Sequence, residues 1–200
     1  MTERNSHLSK THYVTGCSLL IALAVILQYI EFAIPLMPSF IKFDFSDLPA
    51  LIGAYAYGPL AGVIISFLKN VIHMLASQSG FVGELSNFIL GAVFSAVAGF
   101  VYKLRKTRGT ALFGGVLGAL TMAAVSFPSN LFLIYPLYYS ILHYPEELVL
   151  KAYQAILPSV TSVSQCLLIF NVPFTLIKGL IDVLICMLIY KRISHILKGN

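Results

Sequence analysis

Lys69, His73, Glu84, Lys178 and Asp182 stand within strongly apolar stretches, together with the uncharged Asn87, Asn130, Asn171 and Thr175. An ionisable group inside a membrane span is costly and marks a functional position by default. Its neighbours decide which function. Acid–base or nucleophilic catalysis needs paired carboxylates or a nucleophile beside a base, and metal binding needs clustered His, Cys, Asp or Glu. The spacing shows neither, so no catalytic residue, no metal ligand and no cofactor is assigned. Amides, a hydroxyl and an ammonium scattered among apolar residues suit hydrogen bonding to a largely apolar ligand. The chemistry expected is binding, and the chain is read as no enzyme.

Several of these residues admit two roles. Lys178 and Asp182 are four apart and share a helix face, so they could neutralise each other or leave Lys178 to donate to a ligand carbonyl. Asn171 and Pro173 lie one to two turns above Lys178, and the proline frees backbone carbonyls. Asn130 follows Pro128 in Phe-Pro-Ser-Asn and could bind ligand or join helices. Glu84 and Asn87 open a helix, where Glu84 also complements the dipole. Lys69 and His73 share a face, for coupling to a partner or for internal packing. Cys17, Cys166 and Cys186 fall in apolar segments and read as small buried hydrophobes.

These side chains must be positioned by membrane helices. Of 200 residues, 58% are hydrophobic and only 10% charged, against about 25% charged in a soluble domain. The apolar runs are long and do not alternate, which predicts an all-α integral membrane protein rather than a barrel. The amino terminus shows no secretory signal pattern, and no nucleic-acid motif or low-complexity segment occurs. Basic residues gather at Arg4 and Lys10, at Lys103-Leu-Arg-Lys-Thr-Arg108, and at Lys191, Arg192 and Lys198. The positive-inside rule puts all three groups in the cytoplasm. That is possible only if the apolar region 49–68 turns back at Gly58-Pro59, since Gly ends helices and Pro opens them. The prediction is one membrane domain over 1–200 with six helices, at about 13–32, 48–57, 59–75, 83–104, 109–133 and 167–193. An external capping segment covers 135–165. The second helix is short, and about 10 residues at 1.5 Å each cannot cross a 30 Å core unaided. In this topology Glu84, Asn130, Thr175, Lys178 and the first loop converge near the outer leaflet.

Five segments, beginning in the first loop, carry a resemblance. Phe43-Asp-Phe-Ser-Asp-Leu-Pro-Ala-Leu-Ile-Gly53, Gly58-Pro-Leu-Ala-Gly-Val63, Leu68-Lys-Asn70, Gly83-Glu-Leu-Ser-Asn-Phe88 and Pro173-Phe-Thr-Leu-Ile-Lys-Gly179 occur in this order. Together they resemble the riboflavin-specific substrate-binding components (S components) of energy-coupling-factor vitamin transporters. The resemblance implies the six-helix S-component fold with both termini cytoplasmic in a bacterial plasma membrane. It implies capture of one riboflavin near the extracellular side as transported ligand. Import would be driven by a transmembrane T component and two ABC ATPases. It matches Asn130 and Lys178 to positions that bond the flavin ring, and Thr175 to one where asparagine is expected. Asn171, Glu84, Asn87, Phe43 and Asp44 complete the expected ligand site, with Phe43 and Phe45 closing over the flavin. Docking is expected through Ser18 and Ala22, a small-xxx-small pair on helix 1 in which Ser18 replaces an alanine. An S component for another vitamin is the alternative. A self-sufficient secondary carrier would need ion-coupled sites and usually repeats, and neither is evident.

Overall fold

The computed structural model describes residues 10–198. Arg4 lies outside the described residues, as do the side chains of Lys191 and Lys198. Helix α1 spans Lys10–Tyr29 and passes into an extended loop. Two short strands, β1 (Phe32–Ala33) and β2 (Lys42–Phe43), close that loop as an antiparallel pair, with Phe32 opposite Phe43. Helix α2 is Asp47–Tyr57 and α3 is Pro59–His73, extended by a 3-10 turn to Ala76. Between them Gly58 has φ 102° and ψ 165°, a conformation reserved for glycine, and Pro59 starts α3. Helix α4 is Val82–Leu104. Helix α5 (Arg108–Ser129) runs through a π turn at Asn130–Ile134 into α6 (Tyr135–Ile141). After α7 (Glu146–Gln154), helix α8 (Val163–Cys166) passes through a second π turn, Leu167–Asn171, into α9 (Val172–Lys198).

Among the described residues, five helical runs are long and apolar enough to cross a membrane: Lys10–Tyr29, Pro59–Ala76, Val82–Leu104, Arg108–Ile141 and Val163–Tyr190. Helix α2, at 11 residues, reaches only about 16 Å. Its neighbours shield it: α1, α3, α4 and α9 all pack against it, and eight of its residues are buried. The main core joins Leu51 and Tyr55 of α2 to Phe94, Tyr102, Met122 and Val183.

Three elements depart from the expected bounds. The last helix, expected over 167–193, begins as a run at Val163, so residues 163–165 of the expected cap belong to it. Helix α1 stops at Tyr29 because Phe32 is drawn into pairing with Phe43. The run starting at Arg108 does not stop near residue 133. It continues to Ile141, so the first part of the expected cap is an extension of a spanning helix. The rest of the cap is α7 and its flanks, whose Val149 and Tyr153 pack with Ile134, Tyr135 and Leu167 in an outer cluster. All three cysteines are buried and unpaired.

A Cβ at Gly58 would meet nothing within 4 Å, so Gly58→Ala isolates the backbone term. The variant should lose about 1–3 kcal/mol of stability, seen as a lower Tm in detergent. An unchanged Tm would mean that the turn tolerates an ordinary residue.

Candidate functional site

Burying charge in an apolar bundle is tolerable only with partners. In this fold the partners form a chain. Lys69 on α3 donates to Ser46 and, at 2.6 Å, to Asp47 Oδ1. Lys178 on α9 lies 3.2 Å from Asp47 Oδ2 and donates to Asp44 Oδ2 at 3.0 Å. Asp44 in turn accepts from the Ser46 backbone N–H at 2.7 Å, which fixes the loop just before α2. All five residues are buried. Gly91 on α4 leaves the room: a Cβ there would stand 2.6 Å from Asp47 Oδ1.

This arrangement takes the place of a Lys178–Asp182 pair, one of the two roles open to Lys178 from its spacing. Lys178 is claimed by the two carboxylates from the loop and α2. Both oxygens of Asp182 are buried without a hydrogen-bond partner among the described residues. Lys69 belongs to internal packing of the same chain. His73 does not join it: its Nδ1 lies 2.9 Å from Glu84 Oε1. Glu84 also accepts from Ser77 and Ser79 at 2.8 and 2.9 Å, so it anchors the α3–α4 connection as well as the amino end of α4.

Two cavities adjoin above the ion chain. The larger, about 490 Å³, is lined by Asp44, Glu84, Asn87, Gln28, Lys42 and aromatic side chains. The smaller, about 120 Å³, holds Asn130, Asn171 and Thr175 beside Phe174. Phe40, Gly83, Tyr135 and Tyr138 line both. The π turns bracket the smaller cavity, with Asn130 opening one and Asn171 closing the other. Asn130 donates to the Ser126 carbonyl at 2.8 Å, and its amide oxygen takes no partner among the described residues. Asn171 accepts from the Tyr153 hydroxyl at 2.6 Å, and that hydroxyl lies 2.7 Å from Tyr135 Oη.

Six of the eight expected ligand residues thus line one or the other cavity. Two do not. Phe43 is buried in an aromatic stack, 5.1 Å from Phe45 and 6.0 Å from Phe174 by ring centroids. Lys178 stands behind Asp44 rather than facing open space. Sequence reasoning missed Phe40, Tyr135 and Tyr138 as shared walls. The aromatic run Tyr135–Tyr139 in the amphipathic stretch was the available signal. On α1, Ser18 and Ala22 are both exposed on an outward stripe with Val14, Leu19 and Ile26.

Over residues 12–190 the sequence matches the ECF transporter substrate-specific component family. The chain belongs to this family. Among relatives of this S component is the riboflavin transporter RibU of Staphylococcus aureus (strain TCH60), 29% identical over 98% of this chain and 97% of that protein. The riboflavin transporter FmnP of Bacillus subtilis (strain 168) is 32% identical over 88% of this chain and 89% of that protein. The fold matches a solved S component of a bacterial ECF transporter with TM-score 0.73 at 28% identity, covering 95% of this chain and 99% of that one. The chain is therefore a multi-pass, all-α membrane protein with the S-component fold.

Removing one member of a buried ion chain strands its partner. Lys69→Met should cost this S component about 3–5 kcal/mol. Lys42→Met, which breaks the partly exposed pair with Glu31, should cost at most about 1 kcal/mol. Thermal unfolding of the two variants side by side is the check; equal losses would mean that the ion chain adds nothing special.

Proposed function

We propose that this chain captures riboflavin at the extracellular face of a bacterial plasma membrane, for ATP-driven import by a T component and two ABC ATPases. The observation that carries the reading is the pair of adjoining cavities with amides at the inner end and aromatic walls. Its support is a family in which relatives are named riboflavin transporters. Isoalloxazine is flat, with one polar edge and a polyhydroxy tail. Asn130, Asn171 and Thr175 offer donors and acceptors to that edge between Tyr135, Tyr138 and Phe174. The larger cavity suits the tail, since Glu84, Asn87 and Asp44 present acceptors and donors for hydroxyls. Its volume lies within the range of about 300–1,000 Å³ usual for small-molecule sites. Riboflavin is cargo here and no cofactor is required.

Lys178 lines neither cavity and acts on the ligand through Asp44. Its ammonium holds Asp44 Oδ2 at 3.0 Å and Asp47 Oδ2 at 3.2 Å, so it positions the carboxylate that walls the larger cavity. Asp44 is then both a wall of the cavity and the restraint on Lys178. The basic residues Lys103, Arg105, Lys106, Arg108 and Arg192 line neither of these two cavities and cluster around the α4–α5 connection and the last turns of α9, which supports cytoplasmic termini. The exposed α1 stripe at Ser18 and Ala22 suits close approach of a T-component helix.

Purified protein should quench riboflavin fluorescence, and a silent titration would end the flavin reading. Lys178→Ala should weaken binding by about 1–3 kcal/mol; unchanged affinity would remove Lys178 from the site. Ala22→Leu should leave the titration unaltered yet abolish cellular uptake, whereas normal uptake would move the docking face elsewhere.

A further inference from the structure

A third cavity lies at the opposite end of the bundle, and its chemistry differs. It measures about 400 Å³ and opens between the α2–α3 turn and the last turn of α4. Tyr57, Leu60, Gly99 and Tyr102 supply apolar and aromatic walls, and Lys103 and Lys106 complete the lining. The wall hydroxyls nearest the core are engaged: Tyr55 donates to the Ala111 carbonyl at 2.6 Å, and Tyr102 Oη lies 3.2 Å from Tyr190 Oη. The two lysines are not. Both are exposed, and neither forms an ion pair among the described residues. No acidic residue occurs between Glu84 and Glu146, so the end of α4, the loop after it and α5 bring them no counter-charge. The amino end of α3, the positive end of its dipole, opens on the same space at Pro59 and Leu60.

We propose that this cavity holds one anionic phospholipid, its phosphate between Lys103 and Lys106 and part of an acyl chain along Tyr57 and Leu60. Two unpaired cations select a negative head group. A soluble anion would need only the cations, but here the walls are apolar and Leu60 is 67% exposed on a membrane-spanning helix. The cavity is thus continuous with the lipid-facing surface, and an amphiphile matches both halves of it. Basic pockets between spanning helices are suited to acidic head groups for this reason. An occupant here would brace the Gly58-Pro59 turn between α2 and α3.

The test uses the full chain in mild detergent, exchanged against phosphatidylglycerol or phosphatidylcholine and examined by native mass spectrometry. One phosphatidylglycerol should be retained, with phosphatidylcholine held roughly tenfold less well, the effect of one to two lysines beside an acidic head group. Lys103→Gln combined with Lys106→Gln should reduce retention by a similar factor. Arg105→Gln combined with Arg108→Gln removes the same charge outside the cavity lining and should leave retention intact. Leu60→Trp narrows the cavity without altering charge and should also lower retention, which keeps the test valid if the lysine variant folds poorly. Equal losses in the two double variants would reduce the effect to a diffuse basic surface and overturn the proposal. So would equal retention of both lipids, or displacement of phosphatidylglycerol by inorganic phosphate. The readout involves no riboflavin, so failure of the capture reading and failure of this one are separable.

Discussion

Asp47 cannot be buried as a lone carboxylate, and much of the structure follows from how that cost is met. An isolated charge in an apolar interior is penalised by several kcal/mol even after relaxation. Asp47 offsets the penalty by taking one ammonium on each oxygen, Lys69 from α3 and Lys178 from α9. Lys178 then draws in Asp44, and Lys69 draws in Ser46. The first loop, α2, α3 and α9 are thereby tied at a single point, and α4 contributes the glycine that lets the carboxylate fit. None of these elements can shift alone without exposing an unmatched charge to the apolar interior. Gln28 extends the polar tie to α1 by donating to Asn70 at 3.0 Å.

The position of this knot also explains where the cavities lie. Helix α2 begins at Asp47 and is too short to span. The space it leaves above its amino end is occupied by the 30–46 loop and by the larger cavity, whose floor includes Asp44. A full-length helix would fill that volume with side chains. The short helix is therefore the reason the bundle has an accessible polar site above α2 and a packed core of Leu51, Tyr55, Phe94 and Met122 around it.

The parts of this arrangement that were legible in the sequence are those with local causes. Gly58-Pro59 announces the reversal because one residue needs positive φ and the next fixes a helix start. Asn130, Asn171 and Thr175 stand out because amides and hydroxyls are rare in apolar runs, and all three reach the same cavity. The ion chain was not legible in the same way. Lys178 and Asp182 have the i, i+4 spacing that suggests a pair, but Asp44 is 134 positions away in sequence and takes the lysine instead. No periodicity encodes that competition; it depends on how the loop folds over α2. The fate of Phe43 is similar. A loop phenylalanine reads as a ligand cover, yet β pairing with Phe32 and contact with Phe174 bury it.

The two π turns show how a helical bundle can aim polar groups at a ligand without breaking its spans. Pro136 and Pro173 each stand two residues past a π turn and lack a backbone donor, so the ladder is already weakened across 130–134 and 167–171. In each helix the backbone adopts i→i+5 bonding over five residues, with Tyr135 N–H donating to Asn130 O and Val172 N–H to Leu167 O. A π turn accommodates one extra residue and rotates the next helical segment relative to an uninterrupted α-helix, and such turns are common at functional sites. Here both border the smaller cavity and each bears an asparagine at one end. Prolines at those positions would be hard to justify for stability alone in lipid, where every lost backbone bond is costly. Their placement is explained if the register shifts serve to turn Asn130 and Asn171 into a shared space. The backbone then absorbs the irregularity where a ligand's polar edge can be met, and the remainder of both helices keeps its regular ladder.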